Sequence, residues 1–210
     1  DSSNDDLKYA MKVGSGWFIE TVVNAGSVGT FTSLALDALS RPHISFFGVT
    51  LEDLYYVRRS GGTWLGEGLD VQGNVGRYGS LAVDAQNDPH VSYYDQDRRR
   101  LRYAYMEGPR RFAETADSIG SVGTYTSIAL DAGGEPFISY YDQVLGDLKI
   151  THRTRGLWTS QTVDSIGVVG THTSLALDAE DNPCIAYYDV THGDLCFADA
   201  AIHLVSRAGG

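Results

Sequence analysis

One phrase recurs along this chain. "VGTYTSIALDAGGEPFISYYD", Val122 to Asp142, returns as "VGTHTSLALDAEDNPCIAYYD" from Val169 to Asp189, and in looser form from Val75 and from Val28. The anchor valines stand 47 residues apart, with no insertion or deletion between copies. Two further series keep the same ruler: the stretches that begin at Asp6, Asp53, Arg100, Asp147 and Asp194, and the tryptophans Trp17, Trp64 and Trp158. A strict period of this length constrains the fold more than any other property, because each copy must solve the same packing problem.

Each period reads as four short strands. In the copy that starts at Val122, strand a is Thr126 to Asp131, strand b is Phe137 to Tyr141, strand c is Asp147 to His152 and strand d is Leu157 to Val163. They are rich in β-branched and aromatic residues and are bounded by Gly, Asp and Pro. Ile128 and Leu130, then Ile138 and Tyr140, alternate with the two-residue period of a pleated strand. No stretch carries a sustained helical stripe; the tail from Phe197 to Val205 is ambiguous. An Asp-Ala-x-x-x-Pro turn joins a to b in all four copies: Asp37 to Pro42, Asp84 to Pro89, Asp131 to Pro136 and Asp178 to Pro183. Asp bonds backbone N–H groups within a turn, and Pro is tolerated at the first residue of a strand.

Four antiparallel strands per period of this length make the blade of a β-propeller. A single blade cannot cover both of its apolar faces, and stacking blades around an axis buries them. The expected fold is therefore an all-β propeller of four-stranded antiparallel blades. The expected organisation is one propeller domain over residues 1–210: a half blade (1–27), three full blades (28–74, 75–121, 122–168) and a last blade (169–210) whose strand d is degraded around Ile202 to Arg207. Asp1 to Leu7 aligns with Asp189 to Leu195, so the sequence opens at the end of a strand b. Five strand-c copies favour five blade positions, the first incomplete. The alternative is a four-bladed ring in which 169–190 pair with 6–24 in a shared closing blade. The abrupt start suggests a piece of a longer chain.

Composition bounds the partners. Acidic residues outnumber Lys and Arg by 27 to 16, a net charge of −11. That argues against nucleic acid and anionic membrane surfaces, and fits an extracellular or cell-surface protein. No apolar run is long enough to span a bilayer, and no signal peptide is legible. Cys184 and Cys196 lie on neighbouring strands b and c. If Asp189 pairs with Asp194, Cys184 faces a residue near Asp199 and the thiols point to opposite sides of the sheet, so two buried hydrophobes are expected rather than a disulfide.

Propeller topology puts the d–a and b–c loops on one face. That face collects Phe31, Tyr78, Tyr125 and His172 at the start of strand a. It also collects Asp95, Asp142 and Asp189 at the end of strand b, with Gly48 in the first copy and Asp1 as the relic of a fifth. An aromatic ring beside a carboxylate suits a sugar: the ring covers the C–H face and the carboxylate accepts hydroxyl protons. The candidate ligand-binding residues are thus Tyr78, Asp95, Tyr125, Asp142, His172 and Asp189. The competing reading is that each Asp starts the b–c turn and the aromatics pack between blades. His172, Asp189 and His192 are donors that a divalent cation accepts, but no ligand spacing supports a metal site, and no metal or other cofactor is expected. His43 and His90 read as structural or surface residues, and Asp37, Asp84, Asp131 and Asp178 as turn and packing residues. No nucleophile elbow, zinc-protease motif or phosphate loop occurs, and no catalytic residue is assigned.

On the repeated "TSLALDA…P-H-I-S-Y-Y-D…G-D-L-K-Y-A" pattern, the chain resembles β-propeller repeats of secreted or surface-exposed bacterial proteins, from Asp1 to about Ala198. Its blade length is similar to that of five-bladed tachylectin-type lectins, a likeness of period and not of motif. Against the Asp-box of sialidases, the c–d turn Val57 to Trp64 keeps Gly61, Thr63 and Trp64, but has Arg59 in place of the Asp and Val57 in place of the Ser. The resemblance implies a repeat type and a propeller fold rather than one activity, because propellers host many functions. The expected function is non-enzymatic binding outside the cell, of a glycan or a protein. A carbohydrate-active enzyme and a structural protein-docking propeller are the alternatives.

Overall fold

The computed structural model describes residues 5–199 and the backbone of one further strand, 204–207. Every regular element among them is a strand. The first sheet has two strands, β1 (Leu7–Val13) and β2 (Gly16–Val23). The second runs β3 (Val28–Leu36), β4 (Pro42–Gly48), β5 (Asp53–Ser60) and β6 (Thr63–Asp70). The third runs β7 (Val75–Val83), β8 (Pro89–Asp95), β9 (Arg100–Glu107) and β10 (Arg110–Asp117). The fourth runs β11 (Val122–Leu130), β12 (Pro136–Asp142), β13 (Asp147–Thr154) and β14 (Leu157–Asp164). The last is β15 (Val169–Leu177), β16 (Pro183–Asp189), β17 (Asp194–Asp199) and β18 (Leu204–Arg207). All pairings are antiparallel between consecutive strands. The protein is an all-β propeller, and among the described residues the first blade position holds its outer two strands.

The four-bladed alternative is not adopted. β1 and β2 pair with each other, and β17 completes a sheet with β16 and β18 rather than lying idle. Strand d of the last blade falls at β18, inside the stretch where the sequence places it. The expected relic at Asp1 and the tail's 200–203 lie outside the described residues.

The a–b turn forms as its sequence implies. Asp131 Oδ1 accepts the N–H groups of Gly133 and Glu135, each at 2.8 Å. Asp37, Asp84 and Asp178 accept the same two positions in their own copies. The next connection is a tight b–c hairpin that pairs Asp142 with Asp147 and Asp189 with Asp194. Cys184 therefore faces Asp199 and Cys196 faces Tyr187, and no disulfide joins the two cysteines.

The innermost strands β3, β7, β11 and β15 pack side by side, and the cores lie between blades. One contact sets the blade spacing. Each innermost strand brings a glycine onto a leucine of the preceding strand c: Gly29 on Leu7, Gly76 on Leu54, Gly123 on Leu101, Gly170 on Leu148. A Cβ on Gly123 would stand 2.7 Å from the Leu101 Cα, and its φ is +107°. Only glycine meets both conditions. The four leucines beneath are 0–4 % exposed.

Candidate functional site

The geometry of the site follows from a bulge in each innermost strand. Register shifts flank Thr124 in β11, and the same irregularity recurs in β3, β7 and β15. After the bulge the chain enters the left-handed region at an aromatic residue: Phe31 (φ 49°), Tyr78 (55°), Tyr125 (54°) and His172 (55°). Such backbone costs a non-glycine residue about 1–3 kcal/mol, and persists where the surroundings over-determine it. The surroundings here are the next blade. Thr126 Oγ1 donates to the Tyr78 carbonyl and Thr173 Oγ1 to the Tyr125 carbonyl, both at 2.8 Å. These hydroxyls also meet Ser92 and Ser139 at 2.8 Å, so the device spans two blades.

The consequence is a ladder of four rings. Centroids are 4.8 Å apart for Phe31–Tyr78, 4.9 Å for Tyr78–Tyr125 and 4.4 Å for Tyr125–His172, all tilted. With Thr32, Gly79, Thr126 and Thr173, the rings line a shallow cleft of about 270 Å³ among the innermost strands. The ladder is anchored from behind: Phe47, Tyr94, Tyr141 and Tyr188 each meet a ladder ring edge-on. Burial, reinforced by Tyr125, pushes the Tyr78 phenol above its ordinary value, so it is a neutral hydroxyl at any physiological pH.

The structure brings Tyr78, Tyr125 and His172 together and separates them from their expected partners. Asp95, Asp142 and Asp189 are almost completely buried and do not line the cleft. Asp142 Oδ1 accepts the N–H groups of Val144 (2.9 Å) and Leu145 (3.2 Å). Asp95 accepts the N–H of Arg98 and meets the Arg98 and Arg100 guanidinium groups. Asp189 accepts the N–H of His192 and pairs with its Nδ1 at 2.8 Å. In this structure the three carboxylates serve their own b–c turns. A b–c hairpin of this length leaves N–H groups pointing inward, and the carboxylate that opens it is consumed in satisfying them.

Of the last-blade donors considered for a cation, His172 lies tilted against Tyr125, while Asp189 and His192 pair with each other. No cluster of three or more His, Cys, Asp or Glu side chains able to hold a metal ion occurs among the described residues.

Two polar networks went unread in the sequence. Asp70, Asp117 and Asp164 end strand d and accept the hydroxyls of Tyr93, Tyr140 and Tyr187 from the following blade, at 2.5, 2.5 and 2.7 Å. A cation joins two of them: Arg102 lies 3.1 Å from Asp70 and Lys149 2.9 Å from Asp117. The legible signal was a 23-residue Asp-to-Tyr spacing that holds in three copies and is replaced by Val23 and Phe46 in the first. The second network lies on the opposite face. The Tyr56 hydroxyl meets His43 Nδ1 at 2.6 Å, and His43 Nε2 lies 3.4 Å from Asp37. His90 stands between Tyr103 and Asp84 in the same way. At His43 a neutral imidazole with its proton on Nε2 satisfies both neighbours, whereas His90 Nε2 approaches Asp84 at 3.4 Å without hydrogen-bond geometry; burial holds both histidines below their ordinary pKa.

Fold and site together define the class of this protein, a β-propeller with an axial aromatic cleft. No family model and no curated protein matches the sequence. Among solved structures it is similar to a protein of unknown function from Dyadobacter fermentans, with a TM-score of 0.65 and 9 % identity over 91 % of this chain and 68 % of that one. It is also similar to the Aleuria aurantia lectin in complex with Fucα1-6GlcNAc: TM-score 0.58, 14 % identity, 98 % of this chain and 71 % of that one. A polysaccharide lyase, an ulvan lyase bound to its saccharide, gives a TM-score of 0.57 at 13 % identity; 86 % of this chain covers 54 % of the enzyme. The chain thus spans about half the length of the lyase. At these identities the likeness is one of fold.

Proposed function

We propose that this protein is a non-enzymatic recognition module that binds a glycan in the axial cleft and acts outside the cell or at its surface. The observation that carries the reading is the ladder of Phe31, Tyr78, Tyr125 and His172, four rings held side by side on backbone that is costly for each of them. Packing alone would be met by a small residue at the left-handed position; a row of rings with exposed edges offers a surface for the C–H faces of successive sugar units. The cleft's threonines and the Tyr78 hydroxyl supply neutral hydrogen-bonding groups beside it. The net charge of −11 favours a neutral ligand over a nucleic acid. A lectin and a saccharide-bound lyase among similar folds support a carbohydrate as the ligand class.

Recognition is preferred to catalysis because the copy that departs most from the others does so by losing polar groups, Val23, Phe46 and Gly48 standing where the later copies have Asp, Tyr and Asp.

A glycan array probed with the wild type, Tyr78→Ala and Tyr125→Ala tests the proposal. Loss of a stacked ring is expected to weaken binding about tenfold, or about 1.4 kcal/mol. Asp142→Asn is expected to act on stability and not on glycan preference. An array signal unchanged in both tyrosine variants overturns the axial cleft as the site. A wild type that binds no glycan overturns the ligand class.

A further inference from the structure

At three of the four blade junctions, the space between the d–a turn of one blade and the b–c turn of the next is filled by polar groups. Asp70 with Tyr93 and Arg102, Asp117 with Tyr140 and Lys149, and Asp164 with Tyr187 occupy it, beside the buried Asp95, Asp142 and Asp189. At the first junction every one of these positions has changed. Val23 replaces the acceptor, Phe46 the tyrosine, Tyr55 the cation and Gly48 the buried carboxylate. The exchanges fit one another. Phe46 has lost its hydroxyl together with its acceptor, and Tyr55 lies parallel to it with centroids 5.5 Å apart. Gly48 is the residue this pose permits, since a Cβ there would stand 2.6 Å from the Tyr55 ring.

What remains is a cavity of about 420 Å³, walled by Val23, Val28, Phe46, Leu51 and Tyr55 over Gly48. Among the described residues its polar side chains are those of Ser27, of Thr50, whose hydroxyl accepts the Ser27 N–H at 2.9 Å, and of Tyr55, whose hydroxyl donates to Asp53 at 3.3 Å. A pocket of this volume with apolar walls and a few rim hydroxyls has the form of a small-molecule site. Among the described residues no charged side chain lines it, and this sets the ligand class, because an ion entering it would lose hydration without gaining a partner.

We propose that the first junction is a second binding site, separate from the axial cleft, for a small uncharged ring compound that carries a hydroxyl: the ring between Val23, Leu51 and the Phe46–Tyr55 pair, the hydroxyl at Thr50. The site is specific to this junction because the other three are filled from within.

The test uses 2-naphthol as the probe, followed by backbone NMR shifts of the intact chain. Saturable shifts are expected at Val23, Gly26, Gly48 and Thr50. The double variant Val23→Asp/Phe46→Tyr installs the Asp–Tyr pair that the other junctions already carry, and is expected to weaken binding at least tenfold. Leu51→Glu puts a charge on the solvent-exposed wall of the cavity, and is expected to weaken binding several-fold should the double variant not fold. Tyr78→Ala is expected to leave naphthol binding unchanged, which separates this site from the axial one. The anion 2-naphthoate is expected to bind at least tenfold more weakly. Absence of saturable shifts up to the solubility of 2-naphthol, undiminished binding in the foldable variants, or equal affinity for naphthoate overturns the proposal.

Discussion

At the scale of single residues, identical letters carry different duties according to what stands opposite. Gly123 and Gly134 both have positive φ, but a Cβ on Gly123 would meet the Leu101 backbone whereas one on Gly134 would meet nothing within 4 Å. Gly134→Ala is expected to cost about 1 kcal/mol, the strain of left-handed backbone alone. Gly123→Ala should cost roughly 3 kcal/mol or more, since the blades must also part. Urea unfolding midpoints of the two variants check this; equal costs would mean that the glycine–leucine seat does not set blade spacing. The candidate ligand residues divide in the same manner. That Tyr78, Tyr125 and His172 share one face was legible because an aromatic recurs at the start of strand a in each copy. The role of Asp95, Asp142 and Asp189 was legible only as an alternative, because a sequence does not say whether a carboxylate faces solvent or its own turn.

At the scale of elements, the turns dominate and they titrate. Burial would raise the Asp37 carboxyl, but the N–H groups of Arg41 and Leu39, the Arg41 side chain and His43 hold it at about 2. A depressed carboxyl contributes stability that is complete above its unfolded value of about 3.9 and is lost as pH falls towards 2. His43 and His90 act in a higher window. Burial holds each below 6.5, so the folded state resists the proton that the unfolded state accepts, and their contribution declines as pH drops below about 6.5. Thermal melts of the wild type are therefore expected to fall in two stages on acidification. His43→Gln/His90→Gln should be less stable at pH 7.5 and lose the upper stage; a double variant that keeps the pH 5–6.5 decline would refute the assignment. From sequence the two histidines are structural or surface residues. Their contact with Tyr56 and Tyr103 depends on register across two strands, which spacing in one strand does not reveal.

At the scale of the whole molecule, position in the arc decides the value of a repeated residue. Leu101 is covered by the next blade, whereas its equivalent Leu195 is 64 % exposed. Leu101→Ala is expected to cost about 2–5 kcal/mol, and Leu195→Ala under about 1 kcal/mol, by denaturant titration. The junctions also couple. Tyr187→Phe alone strands the buried end of Asp164 and should cost about 1–3 kcal/mol. Adding Asp164→Val recreates the Phe46–Val23 pairing of the first junction, so the double variant should be more stable than the sum of its singles implies. Strict additivity would show that the pair is not a unit.

The sequence by itself determined the period, the four strands of each blade, the Asp-capped a–b turn, the b–c register that keeps Cys184 and Cys196 apart, and the propeller as the way to bury two-faced blades. These follow from local chemistry repeated on a 47-residue ruler, so each copy reads the others. Only the tertiary structure decided which groups meet across the junctions: the ring ladder at the axis, the Asp–Tyr pairs that fill three gaps, and the apolar cavity at the fourth. Those contacts join residues of different blades, and their outcome rests on ångström-scale burial, which turns one aspartate inward to its hairpin and leaves one ring facing the solvent.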